Sequence, residues 1–184
     1  MLTLNTILRL YEGGRLFQKY TLPEIEVLNG PHATSTNNER VLRYADMKLL
    51  VAESELKTGN LASAIGHIND VRTRARDWGL ASGEGDGIEP ANHSTTETNS
   101  ATIMQWIMDE RYVEMAGEGQ RWWDLKRWHV DGDMDLTGWT SGDQHFSSHL
   151  ASSSQFDINK HLVFPLPQTE IERNSAIMDN NPGY

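Results

Sequence analysis

The chain has 184 residues, 26 Asp+Glu against 16 Lys+Arg, a formal net charge of −10 with neutral histidines, and no cysteine. The length suits one domain with a real core, and without cysteine there is no disulfide framework, thiol nucleophile or Cys-ligated metal site. The acidic excess argues against a nucleic-acid or anionic-membrane binder, because phosphate contact needs a basic footprint, and no run of about 18 apolar residues is present to span a bilayer. The opening MLTLNTILRL lacks the basic segment and small-residue cleavage site of a secretory signal. Residues 3–20, with Ile7, Leu8, Leu10, Tyr11 and Phe17 around Glu12-Gly13-Gly14, predict a short helix or extended piece, and 29–38 (NGPHATSTNN) a turn-rich loop.

From Glu39 to Lys57, Val41, Ala45, Leu49, Ala52 and Leu56 recur at helical spacing. Leu42, Met47, Leu50 and Val51 widen the apolar surface, so this helix is expected to be buried on most sides, with Asn37 or Asn38 as its cap. Thr58-Gly59-Asn60 closes it, and Asn60 caps a second helix whose face is Leu61, Ala64, Ile65, Ile68, Val71, Arg72 and Ala75, running to about Arg76. So short a turn forces an antiparallel hairpin. The spacing of Leu56, Gly59, Ala64 and Ile65 resembles half of a tetratricopeptide repeat, although the pattern does not return after about 34 residues as an array would require.

Residues 79–101 are rich in Gly, Ser, Thr and Asn and read as a mobile loop. A third helix is predicted from Thr102 to Gly117, with Ile103, Trp106, Ile107 and Met108 opening its buried face, and another short one from Arg121 to His129. Residues 130–160 read as loop, with a turn of helix allowed at His145–Leu150; His161–Phe164 reads as extended, and Gln168–Arg173 as a last short helix. The predicted class is mostly α, with long ordered loops.

Several segments taken in order resemble the SusD/RagB family of outer-membrane nutrient-binding lipoproteins. They are Arg43-Tyr-Ala-Asp46 into Leu49-Leu-Val-Ala-Glu53; Gly59-Asn60, Ala64, Ile68-Asn69, Val71-Arg72 and Arg74-Ala75; and Ile107-x-x-Glu110-Arg111 with Glu114, Glu118-Gly119, Arg121, Asp124-Leu125 and Arg127-Trp128. The tail adds Pro165-Leu-Pro167, Glu170-Ile171, Asn174 and the ending Asn181-Pro-Gly-Tyr184. The likeness covers roughly residues 15–184. It departs at Ser175, where the family usually has proline, and at Asn180, where glutamine is common. It implies a single SusD-like domain over 1–184, the C-terminal portion of a longer receptor whose lipid-anchoring cysteine and helical-repeat region lie outside this chain. The implied role is non-catalytic capture of oligosaccharide or another nutrient at the outer-membrane surface, for a SusC-like TonB-dependent transporter.

The residues allow more than one chemistry. Glu110 and Glu114, one turn apart, could form a glycosidase-like acid/base pair. A structural ion-pair network of Glu110, Arg111, Glu114, Arg121, Asp124 and Arg127 is favoured, because arginines beside carboxylates keep them ionised. Trp122, Leu125 and Trp128 share a helical face and read as core, whereas Trp78, Trp123 and Trp139 are candidate platforms for a sugar's apolar face. Asp131, Asp133 and Asp135 open like a calcium loop, but Leu136 and Gly142 stand where such a loop needs Gly and Glu, so a solvated acidic turn is favoured over calcium. His145 and His149, with Asp143, have metal spacing only if that stretch is helical. Two alternatives to a nutrient binder stay open: a tetratricopeptide-type adaptor, which needs a second copy of the 45–76 pattern, and a carbohydrate-active enzyme using Glu110 with Glu114 or Asp124.

Overall fold

The computed structural model describes residues 41–137, 156–174, 176 and 179–184. The elements expected at 3–20 and 29–38, the caps Asn37 and Asn38, Trp139, Asp143, and the turn with His145 and His149 lie outside the described residues. Among those described there are helices and no strand, so the protein is mostly α. The chain divides into two compact units, Met1–Gly119 and Gln120–Tyr184.

In the first unit α1 (Tyr44–Lys57), α2 (Leu61–Ser82) and α3 (Ser100–Glu114) pack pairwise against one another. The core between them is Leu49, Ala52, Ala64, Ile65, Ile68, Ile103 and Ile107, each fully buried; Ala52 and Ala64 supply the small side chains that let helices approach. Gly59 makes the α1–α2 turn at φ +87°, a left-handed conformation that a side chain resists. Asn99 caps α3, its side chain accepting from the Ala101 and Thr102 amides at 2.9 and 3.2 Å.

Three expectations are corrected here. First, α1 begins at Tyr44 and not at Glu39, because Arg43 stays extended (φ −143°, ψ 161°) and sends its guanidinium to Glu114 and Glu118. Second, α1 buries one stripe, Ala45, Asp46, Leu49, Ala52, Glu53 and Leu56, while Leu42, Met47, Leu50 and Val51 are exposed. Third, α2 continues beyond Arg76 to Ser82, and it stops only where Gly83 turns left-handed.

The loop between α2 and α3, expected to be mobile, lies pinned along α2. Asn69 grips the His93 backbone with both ends of its amide, accepting from N at 2.8 Å and donating to O at 2.9 Å. Arg72 donates to the Ala91 carbonyl and Arg76 to that of Pro90, both at 2.7 Å. The His93 ring stacks on Trp106 at 4.1 Å. The loop's polarity reflects its exposure, and its anchors come from another element.

The second unit holds α4 (Arg121–Asp131), α5 (Ile158–His161) and α6 (Gln168–Arg173), and it buries Leu125, Trp128 and Leu136. His161 was expected in an extended run; it instead closes α5, with its Nδ1 accepting from the Asp157 amide at 2.7 Å. The C-terminal residues then fasten onto the segment before α6. Asn180 accepts from the Leu166 amide at 2.7 Å and donates to its carbonyl at 3.2 Å, Asn181 donates to Phe164 O at 2.6 Å, and the Tyr184 hydroxyl donates to Val163 O at 3.2 Å. Gly183 sits at φ +85°, a left-handed conformation that strains a side chain, and an added Cβ would lie 3.0 Å from the Lys160 side chain, which would have to give way. Removing the Asn180 amide in Asn180→Ala is expected to cost about 0.5–1.5 kcal/mol per lost hydrogen bond. Hydrogen exchange at the Leu166 amide checks it: the variant should exchange faster, and an unchanged rate means that the tail is held by other contacts.

Candidate functional site

Two groups of side chains stand out in the first unit: a carboxylate–arginine cluster behind α3 and an aromatic, polar surface on α1 and α2. In the cluster Glu110 is 7% exposed and receives Arg72 Nη1 at 2.7 Å on Oε2. Glu114 Oε1 accepts from Arg43 Nη1 at 2.5 Å and from Arg74 Nη2 at 2.7 Å, while Arg43 Nε reaches Glu118 at 2.7 Å. Arg111, also buried, donates to Asp46 at 2.8 Å. The partners of these α3 residues therefore come from α2 and from the start of α1, elements that spacing along α3 could not nominate.

Burial pushes the Glu110 carboxyl above its usual value of 4.5, against the pull of the Arg72 guanidinium. The expectation that arginine would dominate is corrected at this residue, because the buried carboxylate loses more hydration than Arg72 and Arg74 return, and the like charge of Glu114 adds to the rise. A folded-state value above the unfolded one means that the folded chain holds this proton longer. Stability from this group therefore falls as pH rises from the ordinary value of 4.5 through the raised folded one. Glu110→Gln removes the titration and is expected to flatten that fall. Urea unfolding of both proteins from about pH 4 to about pH 7 checks it, and parallel stability curves would refute it.

On the surface, Tyr44 and Trp78 are 75% and 61% exposed. Lys48, one turn after Tyr44, donates to Asp70 at 2.6 Å and lies 5.5 Å from the Tyr44 ring centre; the Asp70 hydrogen bond holds its ammonium charged.

In the second unit Asp124 accepts from Arg127 at 3.1 Å, and the guanidiniums of Arg121 and Arg127 lie 5.7 and 5.0 Å from the buried Trp128 ring. Trp123 is exposed and meets Phe164 edge-on at 6.1 Å, while half-buried Trp122 meets Phe156 at 5.9 Å. Asp131 ends α4, Gly132 turns left-handed, and the Asp133 and Met134 amides return to Trp128 O, so the backbone of the Asp-rich run closes the helix. Asp135 is occupied with the Thr137 amide at 2.8 Å.

Compared with known proteins, residues 11–184 match the SusD family. The chain belongs to the SusD family. Among curated relatives of this SusD-family chain, SusD-like protein P2 of Formosa agariphila is 34% identical over 153 residues, covering 82% of this chain and 26% of the relative. SusD-like protein P25 of the same organism is 29% identical over 171 residues, covering 87% and 27%. SusD-like protein P38 is 36% identical over 87 residues, covering 47% and 16%. The chain thus spans about a quarter of the length of the first two relatives. No solved structure gives a significant match.

Within this SusD-family fold, reasoning from the sequence missed Arg43, Arg72 and Arg74 as partners of the glutamates, Asp46 as partner of Arg111, and Tyr44 as an exposed ring. A signal for Asp46 was available: a carboxylate on the apolar stripe between Ala45 and Leu49 needs a cation. Nothing local marks Tyr44, whose exposure follows from which side of α1 is covered.

Proposed function

We propose that this chain is the C-terminal portion of a non-catalytic receptor that captures oligosaccharide at the outer cell surface and passes it to a SusC-like, TonB-dependent outer-membrane transporter. Lipid anchoring belongs to the same reading, through sequence N-terminal to the part represented here. The observation that carries the proposal is the SusD-family match over residues 11–184. No described helix is long and apolar enough to cross a membrane, which accords with a peripheral receptor.

The carboxylate cluster supports binding over turnover. An acid/base pair must reach the glycosidic oxygen and exchange protons. Glu110 is sealed and fastened to Arg72, and Glu114 is shared by two arginines. In this reading Glu110, Arg111, Glu114, Arg121, Asp124 and Arg127 are structural, and the sugar platforms are sought among Trp78, Trp123 and Trp139. The test is to measure retention of soluble polysaccharides in affinity gels alongside release of new reducing ends. Retention without new ends is expected. Reducing ends that appear with the wild type and vanish in a folded Glu110→Gln variant would replace the binder with a glycoside hydrolase.

A further inference from the structure

Between α1 and α2 runs an open groove made of two joined hollows of about 480 and 620 Å³. Tyr44, Lys48, Asp70 and Arg74 line both; Asp77 and Trp78 line the outer one. Its floor includes Ala45 and Val71, which are buried and small enough to leave the groove open. The two aromatic rings on it are unusually bare for their size, at 75% for Tyr44 and 61% for Trp78.

We propose that this groove is an oligosaccharide subsite, with Tyr44 and Trp78 as stacking platforms and Lys48, Asp70, Arg74 and Asp77 as partners for sugar hydroxyls. The inference rests on the glycan-capture reading and deepens it. A pyranose ring offers an apolar C–H face bordered by hydroxyls, so its receptor needs flat rings beside charged donors and acceptors. The groove sets these side by side along one helix–helix seam.

Its charge arrangement selects for a neutral polymer. Lys48 already faces Asp70 at 2.6 Å, and Arg74 and Arg43, which also lines the inner hollow, face Glu114 and Glu118 at 2.5–2.7 Å, so each of the three cations meets a carboxylate and the groove lacks the excess positive charge that would draw sulfated or uronate chains. Asp77 adds negative charge to the outer hollow. The same ion pairs hold the polar side chains in place before ligand arrives, which lowers the ordering cost of binding.

Affinity gels containing laminarin, xyloglucan, galactomannan or amylopectin, with alginate as an anionic comparison, test the proposal on the intact chain. The wild type should be retarded by at least one neutral polymer and not by alginate. Tyr44→Ala and Trp78→Ala should each weaken that retardation by about tenfold, the loss expected from one stacked ring. Trp78→Phe should recover most of it, and Tyr112→Ala, which removes another exposed ring of the first unit, should leave it intact. Circular dichroism confirms folding of each variant. Retardation unchanged in Tyr44→Ala and Trp78→Ala, or lost instead in Trp123→Ala, overturns this subsite and leaves the glycan reading standing. Retardation by alginate alone overturns the neutral-polymer assignment, and no retardation of the wild type by any polymer overturns the glycan reading and the subsite together.

Discussion

Asp46→Ala is expected to destabilise the first unit by about 3–5 kcal/mol, a drop in Tm of about 6–20 °C. Asp46 sits on the buried stripe of α1, and its carboxylate receives Arg111 Nη1 at 2.8 Å, with side-chain exposures of 9% and 3%. An ion pair of this kind contributes little over a well-packed apolar pair, because both charges lose their hydration. Breaking it is another matter: the guanidinium stays buried, and its desolvation cost remains while the Asp46 share of the attraction is gone. The double replacement Asp46→Leu with Arg111→Met should therefore recover much of the loss, although it removes the same hydrogen bond. Thermal unfolding of the three variants by circular dichroism distinguishes the cases. An Asp46→Ala protein within about 1 kcal/mol of wild type would show that Arg111 escapes to solvent or to another acceptor.

Trp128→Ala should cost a similar amount, about 3–5 kcal/mol, in the second unit. The ring is fully buried beside Leu125, and the guanidiniums of Arg121 and Arg127 lie 5.7 and 5.0 Å from its centre. Truncation leaves a ring-sized cavity and removes the π-face that those cations meet. Trp128→Phe keeps an aromatic face and most of the volume, so it should lose less than half as much. Urea unfolding checks the pair, and equal losses in the two variants would mean that the indole's size, and not its face, is what the site needs.

The helices themselves were legible because their signals are local. Apolar residues at three- and four-residue steps marked the hairpin, Gly59 marked its turn, and Gln168–Arg173 falls where the sequence placed it. Family membership was legible too, since it rests on short motifs kept in order along the chain. Boundaries were less so. Arg43 has ordinary helix propensity, yet it stays out of α1 because an extended backbone lets it satisfy Glu114 and Glu118. The exposure of Met47, Leu50 and Val51 was illegible for a related reason: apolar spacing shows that a helix has an inner side, but its width depends on how many neighbours arrive.

What the sequence determined by itself is therefore the helical class, the α1–α2 hairpin, the family, and the presence of a carboxylate- and arginine-rich stretch from α3 into α4. Each follows from propensity, periodicity or residue order, which act within a few turns of chain. Only the tertiary structure decided which arginine meets which glutamate, that the polar 83–99 loop is tied to Asn69, Arg72 and Arg76, and that Tyr44 and Trp78 line one groove. These pairings join residues tens of positions apart, and a charge or a ring records in its identity that it needs a partner, not which one the fold will bring.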